Sequence, residues 1–209
     1  MSLVILDADD VLLDFMPGFD RYVRSLGFNP DPAGPGQFDL SPWLGVDRLT
    51  AAKTIHDFIH YDDTGFDRLD AIPGAQQALE RLQEVGHRVV VVSSFSDDPR
   101  ILARRRDNIE RLFGHEVFDD IIGLPLGSPK SSVLSRLPHA PFVDDLPRNV
   151  IAAREIGHHG ILMRAHHNGD AFAPGVHGDL LKCDSWQDVM RIIDMQNPGN
   201  TPSSPVSPP

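Results

Sequence analysis

Four aspartates stand in two close pairs, and each pair follows a short apolar run. Asp7 and Asp9 follow residues 3–6, and Asp144 and Asp145 follow a second run of the same kind. Carboxylates held this close repel one another unless a cation neutralises them. Carboxylate oxygens are also ligands that Mg²⁺ prefers in proteins. The pattern therefore predicts a metal-assisted reaction at a phosphate group.

Two further polar residues fit the same chemistry. Ser93 follows the apolar run 89–92, and Lys130 lies between that run and the second aspartate pair. In phosphoryl transfer one carboxylate can attack phosphorus, and a second can protonate the leaving oxygen. A hydroxyl and backbone N–H groups can hold the phosphoryl oxygens, while a lysine offsets negative charge. Each signal is weak in isolation, and it is their order along the chain that predicts a phosphoryl-transfer site.

Short apolar runs alternate with amphipathic helical patterns along most of the chain. The runs lie at 3–6, 89–92, 121–122, 142–143 and 160–163, and the helical patterns at 75–85, 99–113, 130–137, 147–156 and 186–195. This alternation is typical of a parallel sheet covered by helices on both faces. We therefore predict a doubly wound α/β fold, in which ligands bind beyond the carboxyl ends of the strands.

Composition excludes several classes of protein. The formal net charge of -11 argues against general nucleic-acid binding, which needs a basic face. Cys183 is the single cysteine, so an intrachain disulfide is impossible, which fits a reducing compartment. No run of about 18 apolar residues suggests a membrane span. We expect a cytoplasmic protein, and the sequence leaves its oligomeric state open.

The ordered motifs resemble those of the haloacid dehalogenase-like (HAD) superfamily of phosphohydrolases. The resemblance extends to about Met163 and is carried by Leu-Val-Ile-Leu-Asp-Ala-Asp-Asp-Val-Leu at 3–12, Val-Val-Val-Val-Ser-Ser at 89–94, Lys130, and Phe-Val-Asp-Asp at 142–145. It implies that Asp7 is the nucleophile and a Mg²⁺ ligand. It implies that Asp9 is the general acid and base, with its backbone carbonyl on the metal. Lys130 would pair with Asp7.

The resemblance also implies a phosphate cradle and the remainder of a Mg²⁺ site. Ser93 and the backbone N–H groups of Ser94 and Phe95 would bind the phosphoryl group. Asp144 and Asp145 would anchor the metal, one directly and one through water. We favour Asp145 as the direct ligand.

A helical cap is implied between the first two motifs. Residues 15–71 contain helical patterns and loops rich in Pro and Gly, with no convincing strand. We expect residues 1–14 and 72–195 to form the HAD-like core and 15–71 to form a small C1-type cap. Residues 196–209 carry no charge and five prolines, and we expect a flexible tail.

In finer detail the chain looks like the 5'(3')-deoxyribonucleotidase branch of the superfamily. The match is carried by Val-Leu-Leu-Asp-Phe at 11–15, Trp43, Phe66, Ile-Pro-Gly-Ala at 72–75 and Asn-Ile-Glu-Arg-Leu-Phe-Gly at 108–114. It implies that Phe15, Trp43 and Phe66 stack on a nucleobase. The alternative for these rings is packing within the cap.

The chain departs from that branch in two places. Asp10 stands where the branch usually has glycine, and no basic residue follows Ser94 closely. We expect a phosphomonoesterase acting on a small phosphorylated metabolite, with a nucleoside monophosphate preferred. The alternatives are a phosphatase for sugar phosphates or other small metabolites and, outside catalysis, a HAD-like module that binds a ligand or a partner.

Two groups of charged or titratable residues lie outside these motifs. Late histidines are expected to lie in solvated loops, with adventitious metal binding as the alternative. Arginines of the predicted helix 99–113 are expected on its solvated face, with contact to a partner or an anionic leaving group as the alternative. The residues are His158, His159, His166, His167 and His177, and Arg100, Arg104, Arg105, Arg106 and Arg111.

Overall fold

A computed structural model describes residues 2–62 and 65–196. Its strands are β1 (Leu3–Leu6), β2 (Leu13–Asp14), β3 (Asp70–Ala71), β4 (Arg88–Phe95), β5 (Asp120–Pro125), β6 (Pro141–Asp144), β7 (His159–Met163) and β8 (Leu181–Cys183). Its α-helices are α1 (Phe15–Ser25), α2 (Ser41–Leu44), α3 (Arg48–Tyr61), α4 (Ala75–Glu84), α5 (Pro99–Phe113), α6 (Ser131–Leu134), α7 (Pro147–Glu155) and α8 (Trp186–Gln196). The predicted tail, apart from Gln196, lies outside the described residues.

Six strands form one parallel sheet in the order β5-β4-β1-β6-β7-β8. The predicted doubly wound α/β fold is therefore confirmed. Strand β1 lies between β4 and β6, so the chain fills one side of β1 first and then the other. In sheets of this kind the crevice at such a change of direction is where ligands bind.

The central strands are apolar on both faces because helices cover both sides of the sheet. Successive side chains of a strand point to opposite faces. Val4 and Leu6 belong to one apolar cluster and Ile5 to another, which also contains Val90 and Phe142. In register, Ile5 is paired with Val90 on one side and Phe142 on the other. This packing fixes where β1 ends relative to its two neighbours.

Helices α1, α2 and α3 occupy the segment predicted as a cap. The short strands β2 and β3 pair at the two ends of this segment, with Leu13 opposite Ala71. Two-residue strands are too short to leave a periodic pattern, so the sequence did not predict them. Helix α2 likewise lies in a stretch predicted as loop. The division into core and cap stays a prediction.

The described part of the chain contains no helix long and apolar enough to cross a membrane.

Helix α8 is tied to the loop that follows the first aspartate pair. The side chain of Trp186 is buried, and its Nε1 donates a hydrogen bond of 2.8 Å to the backbone carbonyl of Val11. Val11 follows Asp10 directly, so this bond links the C-terminal helix to the edge of the sheet where the aspartates lie.

We expect Trp186→Phe to lower the free energy of unfolding by about 1–3 kcal/mol, because it leaves a buried carbonyl without its donor. Urea unfolding followed by circular dichroism measures the change. Met195→Ala is the matched control on the same helix, since Met195 is 72% exposed and its loss should change stability by less than about 0.5 kcal/mol. Equal stability of Trp186→Phe and the wild type would contradict the assignment.

Candidate active site

The carboxyl ends of β1, β4 and β6 bring the predicted motif residues to one edge of the sheet. Asp7 directly follows β1, and its backbone N–H donates to the carbonyl of Val143 in β6 at 2.9 Å. Ser93 lies in β4, and Asp144 is the last residue of β6. Parallel pairing places these three strand ends side by side, although they are far apart in the sequence.

Lys130 lies at the centre of the carboxylate cluster. Its Nζ is 2.7 Å from Asp7 Oδ1 and 2.7 Å from Asp144 Oδ2, and all three side chains are buried. Burial by itself would lower the pKa of Lys130, but the charges of Asp144 and Asp7 outweigh it and raise that pKa above its ordinary value. Lys130 is therefore a permanent cation between two acids.

The two residues of the second aspartate pair differ in their surroundings. Asp144 is bound by protein donors, and Asp145 faces the cavity. Asp144 accepts hydrogen bonds from Lys130 Nζ, from the backbone N–H of Leu146 at 2.8 Å and from Asn149 Nδ2. Asp145 lines the adjacent cavity. Burial, together with the charges of Asp144 and Asp7, raises the pKa of Asp145 well above its ordinary value. Among the described residues no lysine or arginine pairs with Asp145, whereas Lys130 pairs with Asp144.

A cavity of about 250 Å³ opens above the strand ends. Its lining includes aspartates, Lys130 and the residues predicted to cradle phosphate, which are Ser93, Ser94 and Phe95. It also includes apolar side chains from the helical segment and the loop beside it: Phe15, Met16, Leu40, Ile55 and Ile59. The cavity thus suits a ligand that has both an anionic group and an apolar group.

Asp9 is paired with an arginine that the sequence prediction placed in solvent. Arg105 of α5 is 0% exposed, and its Nη2 lies 3.0 Å from Asp9 Oδ1. Its guanidinium carbon is 3.9 Å from the ring centre of Phe66 and 5.2 Å from that of Phe95. The prediction of a solvated face was wrong for Arg105. The side chain can be buried because two aromatic rings and a carboxylate surround its positive charge.

The electrostatic environment of Asp9 shifts its pKa upward. Burial raises the pKa of Asp9 above its ordinary value, the charge of Arg105 opposes the rise, and the charge of Asp7 adds to it. Two nitrogens of Arg105, Nε and Nη1, are buried and have no hydrogen-bond partner in the described part of the chain. The guanidinium of Arg105 therefore contacts the Asp9 carboxylate and the rings of Phe66 and Phe95.

Arg104 also departs from the solvated prediction. Its Nε donates to Asp67 Oδ1 at 2.8 Å, and its other nitrogens reach backbone carbonyls at the end of α3, including that of Asp62. Arg100, whose side chain is 87% exposed, does lie on a solvated face. Helix α5 thus uses its arginines to hold the predicted cap against the sheet.

The three aromatic side chains predicted to contact substrate do not lie together. Phe15 lines the cavity. Trp43 is buried, donates from Nε1 to the carbonyl of Asp31 at 3.0 Å and packs near Phe19. Phe66 is buried beneath Arg105. The structure therefore does not support Trp43 and Phe66 as substrate contacts, since packing and a hydrogen bond use their surfaces.

The prediction that the late histidines are solvated was wrong for His158 and for the side chain of His167, which is 5% exposed, whereas His159, His166 and His177 are exposed. His158 is buried, where its Nδ1 accepts from the N–H of Ala140 and its Nε2 donates to the carbonyl of Leu134 at 2.9 Å. His166 and His167 line the cavity. Neighbouring histidines in a loop follow no helical metal-binding spacing, so no local pattern predicted this placement.

Asp10 lies against these two histidines. The φ of Asp10 is 58°, in the left-handed region. Glycine adopts this conformation without strain, whereas it costs other residues about 1–3 kcal/mol. Asp10 Oδ2 is 3.7 Å from His166 Nδ1 and 3.6 Å from His167 Nδ1. Burial lowers the pKa of each histidine to about 4, so both imidazoles are neutral near pH 7.

Comparison with known families identifies the group to which the site belongs. The family described as "5' nucleotidase, deoxy (Pyrimidine), cytosolic type C protein" matches residues 1–197. The chain belongs to this family. Its membership confirms the HAD-like resemblance and the expectation of a phosphoric monoester hydrolase of the nucleotidase type. No curated protein matches the sequence.

Solved structures of HAD-like enzymes share the fold of this nucleotidase-family protein. A haloacid dehalogenase-like hydrolase from Streptococcus pneumoniae is 17% identical over 92% of this chain and 98% of its own, with a TM-score of 0.65. A D,D-heptose 1.7-bisphosphate phosphatase from B. bronchiseptica, complexed with magnesium and phosphate, is 18% identical over 94% and 99%, with a TM-score of 0.55. A HAD-superfamily hydrolase from Ehrlichia chaffeensis is 19% identical over 93% and 96%, with a TM-score of 0.58. These similarities establish the fold.

We expect Arg105→Met to reduce turnover of a phosphomonoester such as p-nitrophenyl phosphate by about 10²-fold, because Asp9 loses the group that orients it. The methionine retains an apolar stem between the two rings. Arg106→Met is the matched control on the same helix, since Arg106 lies on the outer face and should leave turnover near that of the wild type. Wild-type turnover in Arg105→Met would show that the contact plays no part in the reaction.

Proposed function

We propose that this protein is a Mg²⁺-dependent phosphatase that acts through an aspartyl-phosphate, with nucleoside monophosphates as substrates. The observation that carries the proposal is the cavity, which joins a buried cluster of carboxylates and lysine to an apolar wall. Membership of a nucleotidase family supports the same substrate class. Its description as a cytosolic protein supports a cytoplasmic location.

The donor set at the strand ends fits Mg²⁺. One oxygen from each of Asp7, Asp144 and Asp145 lies within 4.8 Å of the others, and hard oxygen ligands are those that Mg²⁺ selects. Because Asp144 is already bound by three protein donors, we assign Asp145 as the direct ligand and Asp144 as its support. Asp7 and the backbone carbonyl of Asp9 would complete the protein ligands. When bound, the cation would neutralise the carboxylates and the phosphate.

In the first step Asp7 attacks phosphorus. One carboxylate oxygen of Asp7 forms a bond to phosphorus while the bond from phosphorus to the ester oxygen breaks. Asp9 transfers its proton to that leaving oxygen, which departs as an alcohol. Lys130 and the N–H of Ala8, each 2.7 Å from Asp7 Oδ1, hold the nucleophile in one orientation. Ser93 and the N–H groups of Ser94 and Phe95 would hold the phosphoryl oxygens.

In the second step water cleaves the aspartyl-phosphate. Asp9, now a carboxylate, accepts a proton from a water molecule as its oxygen attacks phosphorus. The bond between phosphorus and Asp7 breaks, which releases inorganic phosphate and restores both acids to their starting states. Arg105 keeps Asp9 directed at the reacting atoms throughout.

The apolar part of the cavity lining favours a nucleotide over a sugar phosphate. Phe15 offers a ring on which a base can stack, and stacking is worth about 1–3 kcal/mol per base. A sugar would bring hydroxyl groups to a wall of Met16, Ile55 and Ile59, where they would lose their hydrogen bonds to water. We propose that segment 15–71 is a cap that closes this part of the site.

We expect Asp7→Asn to abolish turnover, because an amide oxygen cannot form the acyl phosphate. Brief exposure of the wild type to ³²P-labelled substrate, followed by acid quenching, should trap a label that hydroxylamine removes. The variant should trap none. Asp20→Asn on α1 is the control, since Asp20 lies on the protein surface and pairs only with Arg24 among the described contacts. Turnover by Asp7→Asn would instead favour a nucleophile from water.

We expect Phe15→Leu to raise the KM for nucleoside 5'-monophosphates by about 5- to 150-fold, the equivalent of losing 1–3 kcal/mol of base stacking. The KM for p-nitrophenyl phosphate should change much less, since this substrate carries no nucleobase. A panel of deoxy and ribo, pyrimidine and purine monophosphates would define the preferred base and sugar.

Met16→Leu is the matched control, because it retains an apolar side chain on the same wall. Sugar phosphates that turn over much faster than every nucleotide would contradict the proposed substrate class and favour the sugar-phosphatase alternative. Such a result would leave the aspartyl-phosphate mechanism in place, because the trapping experiment tests that step separately.

A further inference from the structure

We propose that Asp10, His166 and His167 form a second metal site, which binds a divalent transition metal of the Zn²⁺ type. The site lies at the wall of the same cavity but is distinct from the oxygen cluster of Asp7, Asp144 and Asp145. The inference is independent of the proposed substrate, because it concerns metal binding and not turnover.

The three ligand atoms already converge. Asp10 Oδ2 lies 3.7 Å from His166 Nδ1 and 3.6 Å from His167 Nδ1, and one ligand atom from each residue falls within a 4.8 Å group. Around a tetrahedral zinc ion with bonds of 2.0–2.1 Å, neighbouring ligand atoms stand roughly 3.3 Å apart. The two separations from Asp10 Oδ2 are therefore within a few tenths of an ångström of the spacing that a zinc ion needs.

The chemistry of the donors separates this site from the magnesium cluster. Two imidazoles and one carboxylate suit zinc and other transition metals, whereas oxygen-only sets suit magnesium. Three protein ligands leave a fourth position open, as in catalytic zinc sites. Here the open position would face the cavity, where a ligand group or water can bind.

The surroundings hold His167 in place. Its side chain is 5% exposed, and its ring centre lies 5.6 Å from that of Phe38. Its Nε2 lies 2.8 Å from Asp145 Oδ2 yet lacks the alignment of a hydrogen bond, so this buried nitrogen has no partner among the described residues. Metal-bound histidines usually direct their second nitrogen at a carboxylate. A metal bound to His167 Nδ1 would account for the positions of both ring nitrogens, with Nδ1 near Asp10 and Nε2 near Asp145.

The backbone on both sides of the site is fixed. Asn168 is buried, donates from Nδ2 to the carbonyls of Asp145 and Met163, and accepts from the N–H of Ala165. These bonds anchor the histidine loop to the end of β6. On the other side Asp10 keeps the left-handed backbone that favours glycine. At this strained position Asp10 provides a carboxylate that can bind a metal, and glycine would provide none.

One other histidine pair must be separated from this site. His56 and His60 stand one turn apart on α3 with ring centres 4.2 Å apart, so they could bind a transition metal with two ligands. His56 Nδ1 lies 3.5 Å from Asp57 Oδ1, but the two histidines and this carboxylate do not bring one ligand atom each within 4.8 Å of one another, as the residues of the proposed site do. His56 and His60 therefore provide a matched control of the same residue type.

The test uses the full chain without an affinity tag, in excess Mg²⁺ so that the oxygen cluster is filled. Calorimetric titration with Zn²⁺ should show one tight equivalent. Co²⁺ in its place should give the intense visible absorption of a low-coordinate site. His166→Ala/His167→Ala should weaken zinc binding by at least about 10²-fold, whereas His56→Ala/His60→Ala should retain the tight equivalent.

Asp10→Gly guards against loss of binding through misfolding. Glycine is unstrained at a φ of 58°, so this variant should melt at the same temperature as the wild type or higher, yet lose the tight equivalent. Retention of tight binding in Asp10→Gly or in the double variant at 166 and 167 would overturn the proposal. Loss of the tight equivalent in the His56→Ala/His60→Ala variant, or its absence from the wild type, would also overturn the proposal.

Discussion

The burial of several carboxylates at one edge of a sheet is the constraint on which the structure of this protein depends. Asp7, Asp144 and Asp145 are buried together, and each negative charge raises the energy of the others. Lys130 compensates part of this charge by bonding to Asp7 and Asp144 at once. We infer that the proposed Mg²⁺ would neutralise the remainder, which would link the stability of the folded site to the binding of metal and phosphate.

The parallel sheet is the element that makes such a concentration of charge possible. Strands β4 and β6 pair on either side of β1 with a register set by apolar residues, so their polar ends must coincide. The free energy that stabilises the fold comes from burial of the apolar strands beneath the helices that cover them. That free energy offsets the electrostatic cost at the strand ends. Several carboxylates can therefore be grouped at one edge of the sheet.

Helix α5 connects the chemistry to the helical segment that forms the apolar wall. Arg105 reaches inward to Asp9, while the adjacent Arg104 reaches outward to Asp67 and the end of α3. Adjacent positions on a helix point in different directions, so one helix can serve both contacts. We infer that the position of the segment 15–71 and the orientation of Asp9 depend on the same helix.

The sequence by itself determined the fold class and the order of the motifs, because buried parallel strands require continuous apolar runs and their polar ends are local features. It also placed Asp7, Ser93 and the second aspartate pair at strand ends, and Lys130 at the start of a helix. Only the tertiary structure decided which arginine is buried, which aromatic ring faces the cavity and how His166 and His167 meet Asp10. These outcomes depend on packing between segments distant in the chain, and a local pattern carries no information about a partner that folding supplies.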